Sequence, residues 1–112
     1  VKGRIMRQVR ITVMRKAEYP DLSAQYENPM EDACSMEEGE VFIAEDWNCK
    51  PEGLCDSAWT TLAPFVMALA CGGTDIYPGW MKDPHTAMLS CNDGFRPVSF
   101  YLEALEEAVP HR

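Results

Sequence analysis

Cys34, Cys55 and Cys91 are the side chains of this sequence best suited to chemistry. Joined by Cys49 or His85, they offer the donor set of a zinc or iron–sulfur site, which needs three or four thiolate or imidazole ligands converging in space. Their spacing does not itself announce a metal. No Cys-x-x-Cys pair is present, and the closest two cysteines, Cys49 and Cys55, are too far apart to form one. The plainer alternative is that Cys55 and Cys91 fill core positions, because free cysteine is among the most buried side chains.

A second chemistry needs one thiol only. Cys55 stands at the start of an expected helix, where the helix dipole favours the nucleophilic thiolate. Asp56 beside it acts against this. A nucleophile also needs a base, and His85 is the one available before the tail residue His111. A third chemistry is ligand binding. Trp47, Trp59, Tyr77 and Trp80 could line a cleft near the helix start, with Asp93 and Arg96 as polar anchors, in the usual mixture of apolar wall and few polar groups. The alternative assigns Trp59 to the core, Trp80 to loop packing, Asp93 to a turn and Arg96 to a neighbouring acid. No phosphate-binding Gly-rich loop, Gly-x-Ser-x-Gly, His-Glu-x-x-His or distinct carboxylate pair is present.

These side chains need elements to hold them, and residues 53–73 are the segment around which the others are arranged. At helical spacing, Cys55, Trp59, Leu62, Val66, Leu69 and Ala70 form one apolar stripe. Asp56 and Ser57 suit its first turn, and Gly72-Gly73 suits its end. Pro64 removes a backbone donor, so a kink near Thr60-Thr61 or a split into two helices is expected. Residues 65–71 are apolar on every side and need cover all round, from the sheet and from a second subunit.

Residues 8–15 alternate Val9, Ile11 and Val13 against Arg10, Thr12 and Arg15, the pattern of a half-buried strand. Residues 21–26 suit a short helix ended by Asn28-Pro29. Residues 40–45 make a second strand, with Val41 and Ile43 on one face and Phe42 and Ala44 on the other. Residues 86–91 and 98–103 form a hairpin about Asn92-Asp93-Gly94. It sets Ala87, Leu89 and Cys91 opposite Val98, Phe100 and Leu102. Residues 103–109 suit a short helical tail. The sum is a single α+β domain over 1–112: a small antiparallel or mixed sheet of about four strands covered by one main helix. Residues 1–5, ahead of Met6, read as an extension or tag remnant, and 104–112 as a tail.

Composition narrows the function classes. The 112 residues carry a net charge of −8, which argues against nucleic acid, since phosphate contacts need an excess of Lys and Arg. The charge is also divided. Lys2, Arg4, Arg7, Arg10, Arg15 and Lys16 precede any acid, whereas Glu27, Glu31, Asp32, Glu37, Glu38, Glu40, Glu45, Asp46, Glu52 and Asp56 are opposed by Lys50 alone. Two solvated faces of opposite sign result, able to attract each other within or between subunits. No stretch reaches the roughly 20 apolar residues of a membrane span. No apolar run follows the basic start, so no secretion signal is expected. Five irregularly spaced cysteines do not make a secreted disulfide framework, and a reducing cytoplasm is the expected setting.

Several motifs carry a resemblance. They are Val-Arg-Ile-Thr-Val-Met-Arg-Lys at 9–16, Tyr19-Pro20-Asp21-Leu22, Gly53-Leu54-Cys55 followed by Ala58-Trp59, Gly72-Gly73, Trp80, and Cys91-Asn92-Asp93-Gly94-Phe95-Arg96-Pro97-Val98. The chain from Val9 to Leu102 resembles a family of small uncharacterised proteins of mainly anaerobic bacteria and archaea. That resemblance implies a self-contained cytoplasmic domain and assigns no catalytic residue. Cys34, Cys55 and Cys91 fall inside its pattern, and Cys49 and Cys71 at its margin. The expectation is a binding or accessory module, a homo-oligomer or the companion of a larger protein, with a cysteine-centred site for Zn or Fe–S. The alternatives are a small enzyme using Cys55 or the Cys91–Asp93–Arg96 corner, and a structural interaction protein.

Overall fold

The structure, a computed structural model, describes residues 5–31 and 34–110. Along the chain come β1 (Ile5–Lys16), α1 (Pro20–Tyr26), β2 (Val41–Ala44), α2 (Asp56–Ala70), β3 (Thr86–Ser90) and β4 (Val98–Pro110). The strands form one sheet in the order β2-β1-β4-β3, and every neighbouring pair is antiparallel. The fold is α+β, and the sheet is antiparallel instead of mixed.

Alternation decides which face is buried. Val9, Ile11 and Val13 of β1, Phe42 and Ala44 of β2, Ala87 of β3, and Val98, Phe100 and Leu102 of β4 turn to the same side. There they meet Ala58, Leu62, Val66, Leu69 and Ala70 of α2. Val9, Ile11, Leu62, Val66, Phe100 and Leu102 are fully buried. Each such side chain contributes on the order of 1.5–3 kcal/mol on leaving water. Cys55 and Trp59 continue the stripe at the helix start, partly buried against this cluster.

Pro64 neither splits α2 nor ends it; the helix runs unbroken from Asp56 to Ala70. The donor that proline lacks would have served the carbonyl of Thr60, and both Thr60 and Pro64 lie on the exposed face. Water can satisfy the freed carbonyl there, which lessens the usual penalty of an internal proline. The helix ends in a Schellman motif: Gly73 N donates to Ala68 O at 2.8 Å and Gly72 N to Leu69 O at 3.1 Å. Gly72 has φ +93°, and a Cβ on Gly73 would stand 2.7 Å from Ala68 O. The paired glycines thus answer two different demands, one of backbone conformation and one of space.

The chain ends differ from the sequence expectation. Residues 103–109 are rich in helix formers, yet β4 extends to Pro110 and pairs with the first half of β1, with Met6 opposite Val109 and Arg7 opposite Ala108. Long-range pairing overrides local helix preference here. Ile5 already belongs to β1, opposite Pro110, so the strand starts before Met6; residues 1–4 lie outside the described residues. Two irregularities bend this central pair. Between Arg7 and Val9 the partner strand advances from Ala108 to Ala104, and between Val13 and Arg15 it advances only from Phe100 to Ser99. The second leaves Met14 as the extra residue of a β-bulge, exposed to solvent.

Gly72→Ala and Gly73→Ala should each lower unfolding stability by about 1 kcal/mol or more, the first through φ and the second through its clash. Urea unfolding followed by circular dichroism measures both. Wild-type stability in Gly73→Ala would mean that the helix end does not close on the Ala68 carbonyl.

Candidate functional site

Three of the five cysteines pack against the core. Cys34, Cys55 and Cys91 are partly buried and packed against the core, whereas Cys49 and Cys71 are exposed. Cys55 is the N-cap of α2 and makes no side-chain capping bond. Asp56 beside it pairs with Lys50 at 2.7 Å, and Lys50 also donates to Leu54 O. Cys91 closes the β3–β4 hairpin: its N–H donates to Val98 O at 3.0 Å, and its Sγ accepts from Val98 N at 3.3 Å. The converging ligand set of Cys34, Cys55 and Cys91 is not assembled. Among the described residues, no three His, Cys, Asp or Glu side chains are grouped so as to hold a metal ion. The physical reason is that these three thiols are held by core packing around different elements. His85 is likewise engaged elsewhere. Its Nδ1 lies 3.4 Å from Asp83 Oδ1, in a recess of about 340 Å³ shared with Arg7, Ala104 and Glu106. Cys55 does not line that recess, so the Cys55–His85 pair is not formed there.

The aromatic residues also separate. Trp59 packs on the core from α2. Tyr77 and Trp80, in the loop 74–84, join Phe65 of α2, with ring centres 6.2 Å apart for Phe65–Tyr77 and 5.1 Å for Tyr77–Trp80. The loop is fastened by Asp75 N donating to Pro84 O at 2.9 Å. It supplies part of the cover that the apolar second half of α2 demands, although Met67 stays exposed. Trp47 sits apart, in the loop after β2, beside Asp46.

Asp93 and Arg96 do meet, as a brace. Asp93 Oδ1 accepts from Phe95 N at 2.8 Å and Arg96 N at 3.1 Å, fixing the loop 91–97 as an Asx turn. That turn aims Arg96 at α1, where Nη1 donates to Glu27 Oε1 at 2.7 Å and Nε lies 4.0 Å from Glu18 Oε1. The bond to Glu27 raises the Arg96 pKa; partial burial opposes this, and the charges of Glu27, Glu18 and Asp93 add to the rise. Ala17 N and Tyr19 N donate to Pro97 O and Phe95 O, each at 2.9 Å. No residue of α1 is buried, so these polar links hold it in place of a packed face. A recess of about 370 Å³ opens beside the brace, lined by Ser23, Glu27, Met30 and Arg96 among others, with Ser23 Oγ buried and without a protein partner.

One surface escaped the sequence reasoning. On the face of the sheet turned away from α2, Ile43, Arg10, Glu103 and Thr86 form one cross-strand row, and Val41, Thr12, Tyr101 and Met88 the next. Arg10 holds Glu103 with two bonds, Nε to Oε1 at 3.1 Å and Nη2 to Oε2 at 3.3 Å. Val41, Ile43 and Met88 are exposed beside this pair. The signal was present in β2, whose residues are apolar on both faces. A strand with one wet side should alternate.

Comparison with family models, with curated proteins and with solved structures finds no match to this chain. The family resemblance rests on its motifs alone. Among the described residues, no helix is long and apolar enough to cross a membrane.

Two experiments test these placements. Under native conditions a thiol reagent should modify the exposed Cys49 and Cys71 ahead of the partly buried Cys34, Cys55 and Cys91, because attack follows access. Mass mapping of a partial reaction reads the order, and first modification at Cys55 would restore it as a reactive thiol. Arg96→Gln should speed amide exchange in α1, at Ser23 and Glu27 above all, and leave β1 unchanged. Unchanged exchange in α1 would show that Arg96 does not hold it.

Proposed function

We propose that this chain is a binding or accessory module that works through the open face of its sheet. One observation carries this: Val41, Ile43 and Met88 stay exposed around the Arg10–Glu103 pair on a face that α2 does not cover. Apolar side chains grouped on a folded surface commonly mark contact sites. Four of the polar candidates for catalysis have local partners, although Cys55 makes no side-chain capping bond. Asp93 makes a turn, Arg96 holds Glu27, Cys91 accepts a backbone bond and His85 faces Asp83. The partner is a protein, either a second copy or a larger one. The acidic balance disfavours nucleic acid. The five cysteines, all free, suit a reducing cytoplasm.

Site-specific crosslinking tests this surface. A photoreactive side chain at position 88 should capture protein, in a cell extract or in the concentrated pure sample. The same group at position 67, on the exposed side of α2, should not. Capture from 67 alone would move the working surface to the helix, and silence at both positions would overturn the binding module.

A further inference from the structure

We infer that the open face binds a second copy of this chain, sheet against sheet, about a two-fold axis that runs between β1 and β4 along the strand direction. This rests on the open face being the working surface and adds the identity of its occupant. The support comes from the register of the strands. In the order β2-β1-β4-β3, such an axis lays β1 over the partner's β4 and β2 over the partner's β3. Because the cross-strand rows run straight across the sheet, each row then faces itself in reverse. Arg10 meets the partner copy's Glu103, and Glu103 its Arg10. Thr12 meets Tyr101, and Val41 meets Met88. Opposite charges meet at the centre of the first row, exposed Val41 meets exposed Met88 in the second, and Ile43 meets the buried Thr86. The same surface on both copies is what a two-fold interface requires.

The Arg10–Glu103 pair has capacity left for this contact. A guanidinium carries five N–H donors and Arg10 spends two of them on Glu103. A carboxylate can accept further bonds as well. Two such pairs, placed head to tail, make a ring of four charges that alternate in sign. Water leaves it with each charge flanked by two of the opposite kind, which limits the cost of burial. The exposed rim is apolar through Val41 and Met88, both more than a third exposed and therefore free to bury area. Packed sheets cross at about 30°, which offsets the outer strands by about one residue, a mismatch that the flexible Met88 can absorb. The central contacts lie next to the axis and keep their register.

The footprint is small. Four strands about 4.8 Å apart and a few residues of about 3.4 Å along each fall below the roughly 800 Å² per partner of a standard interface. The dimer should therefore depend on concentration. Sedimentation equilibrium from about 1 µM to about 1 mM, the range in which such small interfaces dissociate, measures it. Wild type should pass from monomer to dimer. Arg10→Glu and Glu103→Arg should each weaken association at least about tenfold, since like charges then face each other. Mixed in equal amounts, the two variants should recover a dimer that neither forms alone. In that mixed dimer the carboxylate introduced at position 10 of one copy faces the guanidinium introduced at position 103 of the other, and the unaltered Glu103 faces the unaltered Arg10. Val41→Asp, remote from the ion pair and at an exposed site, should weaken association while the circular dichroism spectrum stays that of wild type.

A wild-type monomer at the highest concentration, a wild-type dimer indifferent to these substitutions, or a mixture that stays monomeric would each overturn the second copy as occupant. If position 88 nevertheless captures another protein, the open face stands and only its occupant changes. If it captures nothing, both fall.

Discussion

The pairing of β1 with β4 is the contact on which the remainder of this fold depends. The two strands come from opposite ends of the chain, yet they lie side by side at the centre of the sheet and run together from Ile5–Pro110 to Lys16–Val98. β2 can add only to the outer edge of β1, and β3 only to the outer edge of β4. α2 then has a surface to cover. Closing so long a loop costs chain entropy before any contact rewards it. The offset comes from the buried face itself, where Ile11, Val13, Phe100 and Leu102 stand in neighbouring positions of that pair. Local structure elsewhere is arranged so that this closure can happen. The Schellman end at Gly72-Gly73 turns the chain out of α2, and the Asx turn at Asp93 returns β3 onto β4.

What the sequence made legible is what short-range physics controls. The alternation of Val9, Ile11 and Val13 identifies the core face of β1 from a few residues, and the same holds for Val98, Phe100 and Leu102. The stripe from Cys55 to Ala70 identifies the buried side of α2. Both glycines and the turn at Asp93 follow from local backbone demands. The failures share a different cause. The stretch 103–109 has helix-forming residues, and only a strand far away in sequence, β1, makes it extended. Pro64 reads as a break because sequence does not show that Thr60 and Pro64 share a wet face. For Arg96 the brace is the more ordinary reading than the ligand anchor, yet the sequence does not name the acid, because Glu27 is brought near only by the folded chain. The thiols follow the same rule. Convergence is a property of three dimensions, and irregular cysteine spacing cannot supply it.

The assignment of polar groups has a functional consequence. A catalytic acid, base or nucleophile must keep a lone pair or proton available to a reacting atom. Asp93, Arg96 and Cys91 are enlisted in local structure, and the loop 91–97 shows how. Its carboxylate fixes the turn, the turn aims the guanidinium, and the guanidinium holds a helix that buries nothing of its own. Removing any member for chemistry would weaken the hold on α1, leaving the backbone bonds of Ala17 and Tyr19 to Pro97 and Phe95. By contrast, Val41, Ile43 and Met88 stay exposed on the outer face. In the proposed reading that exposure serves contact with another surface.

The edges of the sheet explain why such contact would use the face. A sheet edge offers unpaired backbone donors and acceptors to any other strand, and proteins protect edges by keeping them short and charged. The two edge strands here, β2 with 4 residues and β3 with 5, are the shortest in the sheet. Glu40 precedes β2, Glu45 and Asp46 follow it, and Asp83 stands just ahead of β3. Carboxylates at both edges of a chain that already carries −8 make lateral strand addition by another copy unfavourable. Approach through the open face escapes that repulsion locally. Its two central charges already neutralise each other, and the adjoining row of Val41, Thr12, Tyr101 and Met88 is uncharged. The acids that discourage edge pairing therefore agree with the proposed use of the face over the edges.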